Sequence, residues 1–191
     1  MALAALAVGG CGGSSSSPSA GPTSPPSATF GGDPPMATVV TIDKVAGNLH
    51  KPYHRRFHAH AKHLTRQVGH AVDAWFDGGF VGVDYPTHSY PGAFQSFTPQ
   101  ARHDAFQQKG LMTAGPLGAH IDGVTTLQRK VSLDVLAPKG RPSGVTARVV
   151  LRFKTTGNAT KKVTVTGRLF LTQSGSGAWR IFGFDVAKGS K

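Results

Sequence analysis

The chain has 191 residues and sets 21 Lys and Arg against nine acidic residues, every one of them Asp, for a net charge of +12. Carboxylate chemistry is therefore confined to nine positions, and a single cysteine excludes any internal disulfide. Such a field favours anionic partners such as nucleic acid, acidic lipid headgroups or charged cell-wall polymer, and it equally serves to keep a protein soluble.

Met1 to Gly10 is a short apolar run that closes on small residues just before Cys11, and from Gly12 to Pro35 almost every residue is Gly, Ser, Pro, Ala or Thr. This arrangement resembles a bacterial lipoprotein signal with Val8-Gly9-Gly10-Cys11 as its lipobox. The resemblance implies cleavage before Cys11, a lipid on its thiol, export, and anchoring to the outer face of the cell membrane. The residues taken alone also fit a disordered tail with an incidental cysteine. Residues 12–36 cannot bury enough apolar surface to offset chain entropy and are expected to act as a tether. The organisation is then a signal over 1–11, a tether over 12–36 and one folded domain over 37–188, with no later stretch long and apolar enough to span a membrane.

The β-branched run Thr38-Val39-Val40-Thr41-Ile42 reads as a short edge strand or an extended arm on the domain. Between Asp43 and Asp73 there is no acidic residue, while six Lys and Arg alternate with His50, His54, His58, His60, His63 and His70. Leu64, Val68, Ala71, Val72, Trp75 and Phe76 recur at spacings of three and four. They predict an amphipathic helix from about His54 or Ala59 to Asp77, ended by Gly78-Gly79. Phe80 to Pro86 fits a short extended segment or a turn of helix. Thr98 is a good N-cap with Pro99 in the first turn, opening a second helix that Gly110 stops, after which Leu111-Met112 folds back onto the core.

From Val131 onward the period changes to two. Val131, Leu133 and Val135 alternate with polar residues. Val145, Ala147, Val149, Leu151 and Phe153 do so again after the Pro138–Gly144 turn, and Val163 to Leu171 and Trp179 to Val186 form a hairpin across Ser174 to Ala178. Four strands joined by short turns make an antiparallel meander, and helices that precede it indicate an α+β fold with the helices on one face.

A long helix ending in Trp75-Phe76-Asp77-Gly-Gly-Phe80, a second helix opened by Phe97-Thr98-Pro99, and four long strands ending in Trp179-Arg-Ile-Phe182 together resemble the NTF2-like (cystatin-like α+β) superfamily. The nearest likeness is to the lipid-anchored and membrane-anchored accessory proteins of actinobacteria. The resemblance covers about Ala37 to Lys188 and implies N-terminal helices packed on a curved four-stranded antiparallel sheet that wraps them into a cone. It further implies a ligand pocket at the mouth of the cone, and homodimerisation through the sheet.

Three chemistries follow from particular residues. In a cone-pocket enzyme of isomerase or dehydratase type, a buried Asp or His takes a proton while a second group stabilises the oxyanion. Asp84 or His103 would be the base and Tyr85 or Tyr90 the donor. Other polar groups available to a cone are Asp77, His88, Asp104 and Asp122, with Asp77 expected to cap the helix or pair with a nearby base. Metal capture would use His54, His58, His60 and His63, since imidazoles at i and i+4 can share an ion. Five positive charges from Lys51 to Arg66 oppose a cation there, and a solvated basic helix face is the simpler account. Lastly, Arg148, Arg152 and Lys154 share one strand face, Arg168 can join them, and Lys161-Lys162 lie at the neighbouring turn, forming an anionic-surface site. Nucleic acid is a poor partner, because no recognition motif or stacking pattern is present. No motif calls for a cofactor. The expected function is a non-catalytic envelope lipoprotein whose domain binds a hydrophobic small molecule or an envelope protein, with the enzyme as the alternative.

Overall fold

Leu64, Val68, Ala71, Val72, Trp75 and Phe76 are all buried along one side of helix α1 (Lys51–Phe76), as their spacing requires. The computed structural model describes residues 36–191, so the expected signal, Cys11 and most of the tether lie outside the described residues. At roughly 2 kcal/mol per large apolar side chain, this stripe contributes on the order of 10 kcal/mol before the entropy of ordering is subtracted. α1 starts earlier than His54. Pro52 sits in its first turn with no amide to satisfy, and the Tyr53 and His54 amides donate to the His50 carbonyl at 2.8 and 3.2 Å.

The glycine pair does not stop the chain after α1. Asp77–Val81 continues as a wider π-helical turn. The turn is stitched to the following layer by Trp75 Nε1, which donates to the Met112 carbonyl at 3.0 Å, and by the Ala114 amide, which donates to the Gly79 carbonyl at 2.8 Å. Thr98 caps α2 (Pro99–Gln107) by accepting from the Ala101 amide. α2 ends before Gly110 rather than at it, and α3 (Lys109–Met112) carries the chain across that glycine, leaving Met112 fully buried. A last short turn, α4 (Gly115–Gly118), leads to the sheet.

The fold is α+β, but the sheet is not the expected four antiparallel strands. It has five, in the order β1-β2-β3-β4-β5. These are β1 (Val39–Ala46), β2 (Gly123–Leu136), β3 (Gly144–Thr156), β4 (Lys162–Gln173) and β5 (Trp179–Ser190). β2 to β5 form the antiparallel meander, and β1 lies parallel to β2, with Val39 opposite Lys130 and Ala46 opposite Leu136. The segment expected as a short edge strand or an extended arm is an edge strand; it extends to Ala46 and pairs with backbone groups of β2 that would otherwise form an open edge. At the opposite edge the start of β5 is covered by residues 96–98, through Thr98 and Ile181 amide bonds of 2.8 and 2.9 Å.

Register shifts interrupt the ladder at Asp43, Leu127 and Phe182. Extra residues of this kind increase local twist and bend a strand. Alternate residues of β2, β3 and β4 meet α1, and their layer includes Val131, Leu133, Leu151, Phe153, Val165 and Leu169, all buried. Trp75, Phe80 and Phe153 pack edge-on or tilted with ring centroids about 6 Å apart, so aromatic side chains fill the space between α1 and the sheet.

One charged side chain points into this layer. Arg129 occupies an inward position of β2 and its side chain is 4 % exposed. Its guanidinium donates to Asp73 and to Asp77 at 2.7 Å each and lies 5.6 Å from the centre of the Phe76 ring. The Thr38 hydroxyl donates to Asp73 as well, so β2, the end of α1 and the residue leading into β1 meet at one ionic node. The expected pairing of Asp77 with a nearby base is realised here.

Candidate functional site

Arg56, His60, His63, Leu64 and Gln67 lie on one edge of α1, because steps of three and four residues return a helix to the same side. Opposite that edge, the β2–β3 connection brings Arg141 and Pro142, and the turn end of the β4–β5 hairpin brings Gln173 and Trp179. Between them is a cleft of about 340 Å³. That volume falls at the lower end of the range of small-molecule sites.

The wall formed by the β2–β3 connection is held by a glycine that has no substitute. Gly140 has φ of +72°, and a Cβ there would fall 2.2 Å from the Tyr53 carbonyl oxygen. The connection therefore lies directly on the first turn of α1, with Arg56 donating to the Lys139 carbonyl at 3.5 Å. On the other wall, Gln173 and Trp179 face each other in register as the last paired residues of the hairpin. Trp179 is only 4 % exposed and with buried Leu64 forms an apolar floor. Two guanidinium groups and two imidazoles surround that floor, and among the described residues no carboxylate lines the cleft. The arrangement offers donors to an anion and a flat apolar surface to whatever carries it.

The four histidines considered for metal fall into two groups. His60 and His63 line the cleft. His54 and His58 lie on the other side of α1, exposed, with their Nε2 atoms 3.1 Å apart. Among the described residues no three His, Cys, Asp or Glu side chains gather in a way that could hold an ion.

Of the residues considered for proton transfer, Tyr85 and Tyr90 are brought together and Asp84 and His103 are not. Tyr85 donates to the Phe80 carbonyl at 2.5 Å. Burial, and then the neighbouring Tyr90, push its pKa well above the usual phenol range, and burial also raises that of Tyr90. The Tyr90 hydroxyl is buried against Gly118 without a completed hydrogen bond. Asp84 and His103 are exposed, and no hydrogen bond joins either to a tyrosine among the described residues. His88 and Tyr90 border a second cleft of about 330 Å³, beside Phe94 and Phe106. Asp104 accepts from Gln100 at 2.9 Å, and Asp122 is exposed beside Gly157.

The cations considered for an anionic surface share the outer face of the sheet, away from α1. Arg148 pairs with Asp134 at 2.8 Å and Asp43 at 2.9 Å, and Arg168 pairs with Asp185. The Thr41 hydroxyl, followed by Arg148, holds the Asp43 carboxyl below its ordinary range. Arg152 and Lys154 lie exposed near the far end of β3.

Among the described residues no helix is long and apolar enough to cross a membrane. Comparison with protein-family models, with curated proteins and with solved structures finds no match to this chain.

Proposed function

We propose that the described domain is a non-catalytic, NTF2-like binding module of an exported lipoprotein, and that the cleft between α1 and the β4–β5 hairpin takes an amphipathic anion, a carboxylate or phosphate on an apolar chain. The observation that carries this is the lining itself: Arg56, Arg141, His60 and His63 around Trp179 and Leu64, with no acidic group. Helices that precede the β2–β5 meander and pack on one face of the sheet, and register shifts of the kind that bend strands, support the NTF2-like assignment, with β1 ahead of α1 as an added edge strand. The aromatic filling between α1 and the sheet favours a ligand at the end of the layer over one inside a cone. A non-catalytic role is favoured because, among the described residues, no Asp or His hydrogen-bonds to either tyrosine: Tyr85 donates to the Phe80 carbonyl and the Tyr90 hydroxyl has no partner.

Trp179 is the natural reporter, since the other tryptophan, Trp75, is fully buried and hydrogen-bonded in the core. Titration with dodecanoate should change Trp179 fluorescence, and dodecanol should bind at least tenfold more weakly. Loss of one charged hydrogen bond corresponds to about 1.5–3 kcal/mol, so Arg56→Ala and Arg141→Ala should each weaken dodecanoate roughly tenfold or more. Equal affinity for dodecanol, or loss of binding on Phe106→Asp in the second cleft with no effect of the arginine changes, would overturn the assignment.

A further inference from the structure

The outer face of the sheet sorts its charges by position. At its middle, Arg148 and Arg168 are neutralised by Asp43, Asp134 and Asp185. Toward the end of β3 the pattern reverses. Lys154 stands directly opposite Lys162 in the β3–β4 register, and Lys162 in turn exchanges two backbone hydrogen bonds with Lys191. Arg152 lies two residues from Lys154 on the same face, opposite Gln128 and Thr164, and Lys130 is exposed on β2. No ion pair reaches any of these cations among the described residues. Like charges directly across a ladder destabilise it, so an uncompensated row with side chains about 5 Å apart is costly unless an anion lies over it.

Apolar side chains stand beside the cations. Leu127 is the extra residue of the β2 bulge and is 46 % exposed, at the edge of a groove of about 660 Å³ that also contains Arg152, Lys162 and Thr164. Val39, opposite Lys130 at the start of β1, is 58 % exposed, and Met36 just before it is 44 % exposed. These residues lie within two strands of Arg152, or about 10 Å. A site for a soluble phosphate has no use for exposed leucine, valine and methionine, and a site for single-stranded nucleic acid would present aromatic side chains to its bases. Cations next to exposed apolar groups match a bilayer interface, where the former meet headgroups and the latter enter the acyl boundary. The chain also enters the domain at this corner, since β1 begins at Val39 alongside Lys130 and runs away from it. The dodecanoate cleft is at the opposite end of β3, beyond Gly144, roughly 30 Å away at about 3.3 Å per residue.

We infer that the end of the sheet bearing Arg152, Lys154, Lys162 and Leu127 is a docking surface for an anionic lipid bilayer. It is separate from any lipid on Cys11, and it leaves the cleft facing away from the membrane. The inference does not rest on what the cleft binds.

Cosedimentation of the full chain carrying Cys11→Ser, so that no acyl group contributes, is the test. The chain should bind vesicles containing phosphatidylglycerol and not pure phosphatidylcholine, and binding should fall as salt rises. Each cation near an anionic surface is worth about 1 kcal/mol, or fivefold, so Arg152→Gln, Lys154→Gln and Lys162→Gln together should weaken partitioning about a hundredfold. Relief of the opposed charges should leave the urea midpoint of this triple variant no lower than that of its parent, which separates lost docking from lost folding. Lys51→Gln, Arg55→Gln and Lys62→Gln on α1 remove the same net charge and should leave partitioning nearly unchanged. Leu127→Ser should weaken binding at every salt concentration. Equal binding to phosphatidylcholine, or an equal loss in the α1 triple variant, would overturn the inference. So would an affinity for soluble hexametaphosphate that exceeds that for the vesicles and survives Leu127→Ser.

Discussion

Replacing Arg129 by methionine isolates the charge at the ionic node, because methionine fills much of the same volume and keeps contact with Phe76. Nη1 and Nη2 each make a 2.7 Å hydrogen bond to a carboxylate. A hydrogen bond to a charged group is worth about 1.5–3 kcal/mol when its partner is buried. Here Asp73 and Asp77 are 32 % and 48 % exposed, and water recovers part of what the guanidinium gave. Discounted for that exposure, each bond contributes about 1 kcal/mol. Loss of the guanidinium over the Phe76 ring adds about 0.5 kcal/mol, and relief of its own desolvation subtracts a similar amount. The expected loss in unfolding free energy is therefore about 2 kcal/mol for Arg129→Met, and about 4 for Arg129→Ala, which also opens a cavity. Urea denaturation followed by circular dichroism measures both, and a cycle with Asp73→Asn should return a coupling of about 1 kcal/mol. A methionine variant as stable as the parent would mean that the node holds nothing, and that packing alone joins β2 to the end of α1.

Other changes test other parts of the fold. A Cβ on Gly118 would fall 2.1 Å from the Tyr90 hydroxyl and 2.5 Å from the Thr87 carbonyl oxygen, so Gly118→Ala should cost about 2–3 kcal/mol. In a Tyr90→Phe background the urea midpoint should recover in part, since only the first clash is removed; full recovery or none would contradict the geometry. Burial lowers the pKa of Lys188, which donates to the Gly110 and Thr113 carbonyls, to about 8. A lysine depressed in the folded state binds fewer protons there than in the unfolded chain between that value and its ordinary 10.5, so this group makes stability rise with pH across that window. The difference in unfolding free energy between parent and Lys188→Met should thus shift toward the parent from pH 8 to 10.5, and a difference flat in pH would contradict it. Cys11→Ala should abolish an acyl mass increment and release the chain from the membrane fraction; an unchanged intact mass would remove the lipoprotein reading.

What could be read from the residues was local. The α1 stripe, the Thr98-Pro99 cap and the alternation of β3 each follow from spacing over a few residues, and each stands where it was expected. β1 was less legible because a strand of eight residues carries no mark of its partner; its parallel pairing depends on where α1 delivers the chain. The first half of β2 was missed because the extra residue Leu127 shifts the alternation by one position between Thr126 and Gln128. A signal for the ionic node was nevertheless present. Arg129 has the same parity as Val131, Leu133 and Val135, and a charge on the inward side of a strand requires a buried partner. The cleft was half legible in the same sense. Arg56, His60, His63 and Gln67 share a helix edge by spacing, whereas Arg141 and Trp179 reach it only through the path of two turns that no periodicity describes.

The parallel seam between β1 and β2 also determines how the domain carries load. A force applied at Val39 along the axis of β1 pulls lengthwise on seven paired positions rather than prising them apart one by one. Behind this seam lie the ionic node and Gly69, where a Cβ would fall 3.2 Å from Val40 Cγ2. Where the opposing force acts at the far end of the sheet, near Leu136 and Gly144, the seam is loaded lengthwise and its pairs must give way together instead of one after another.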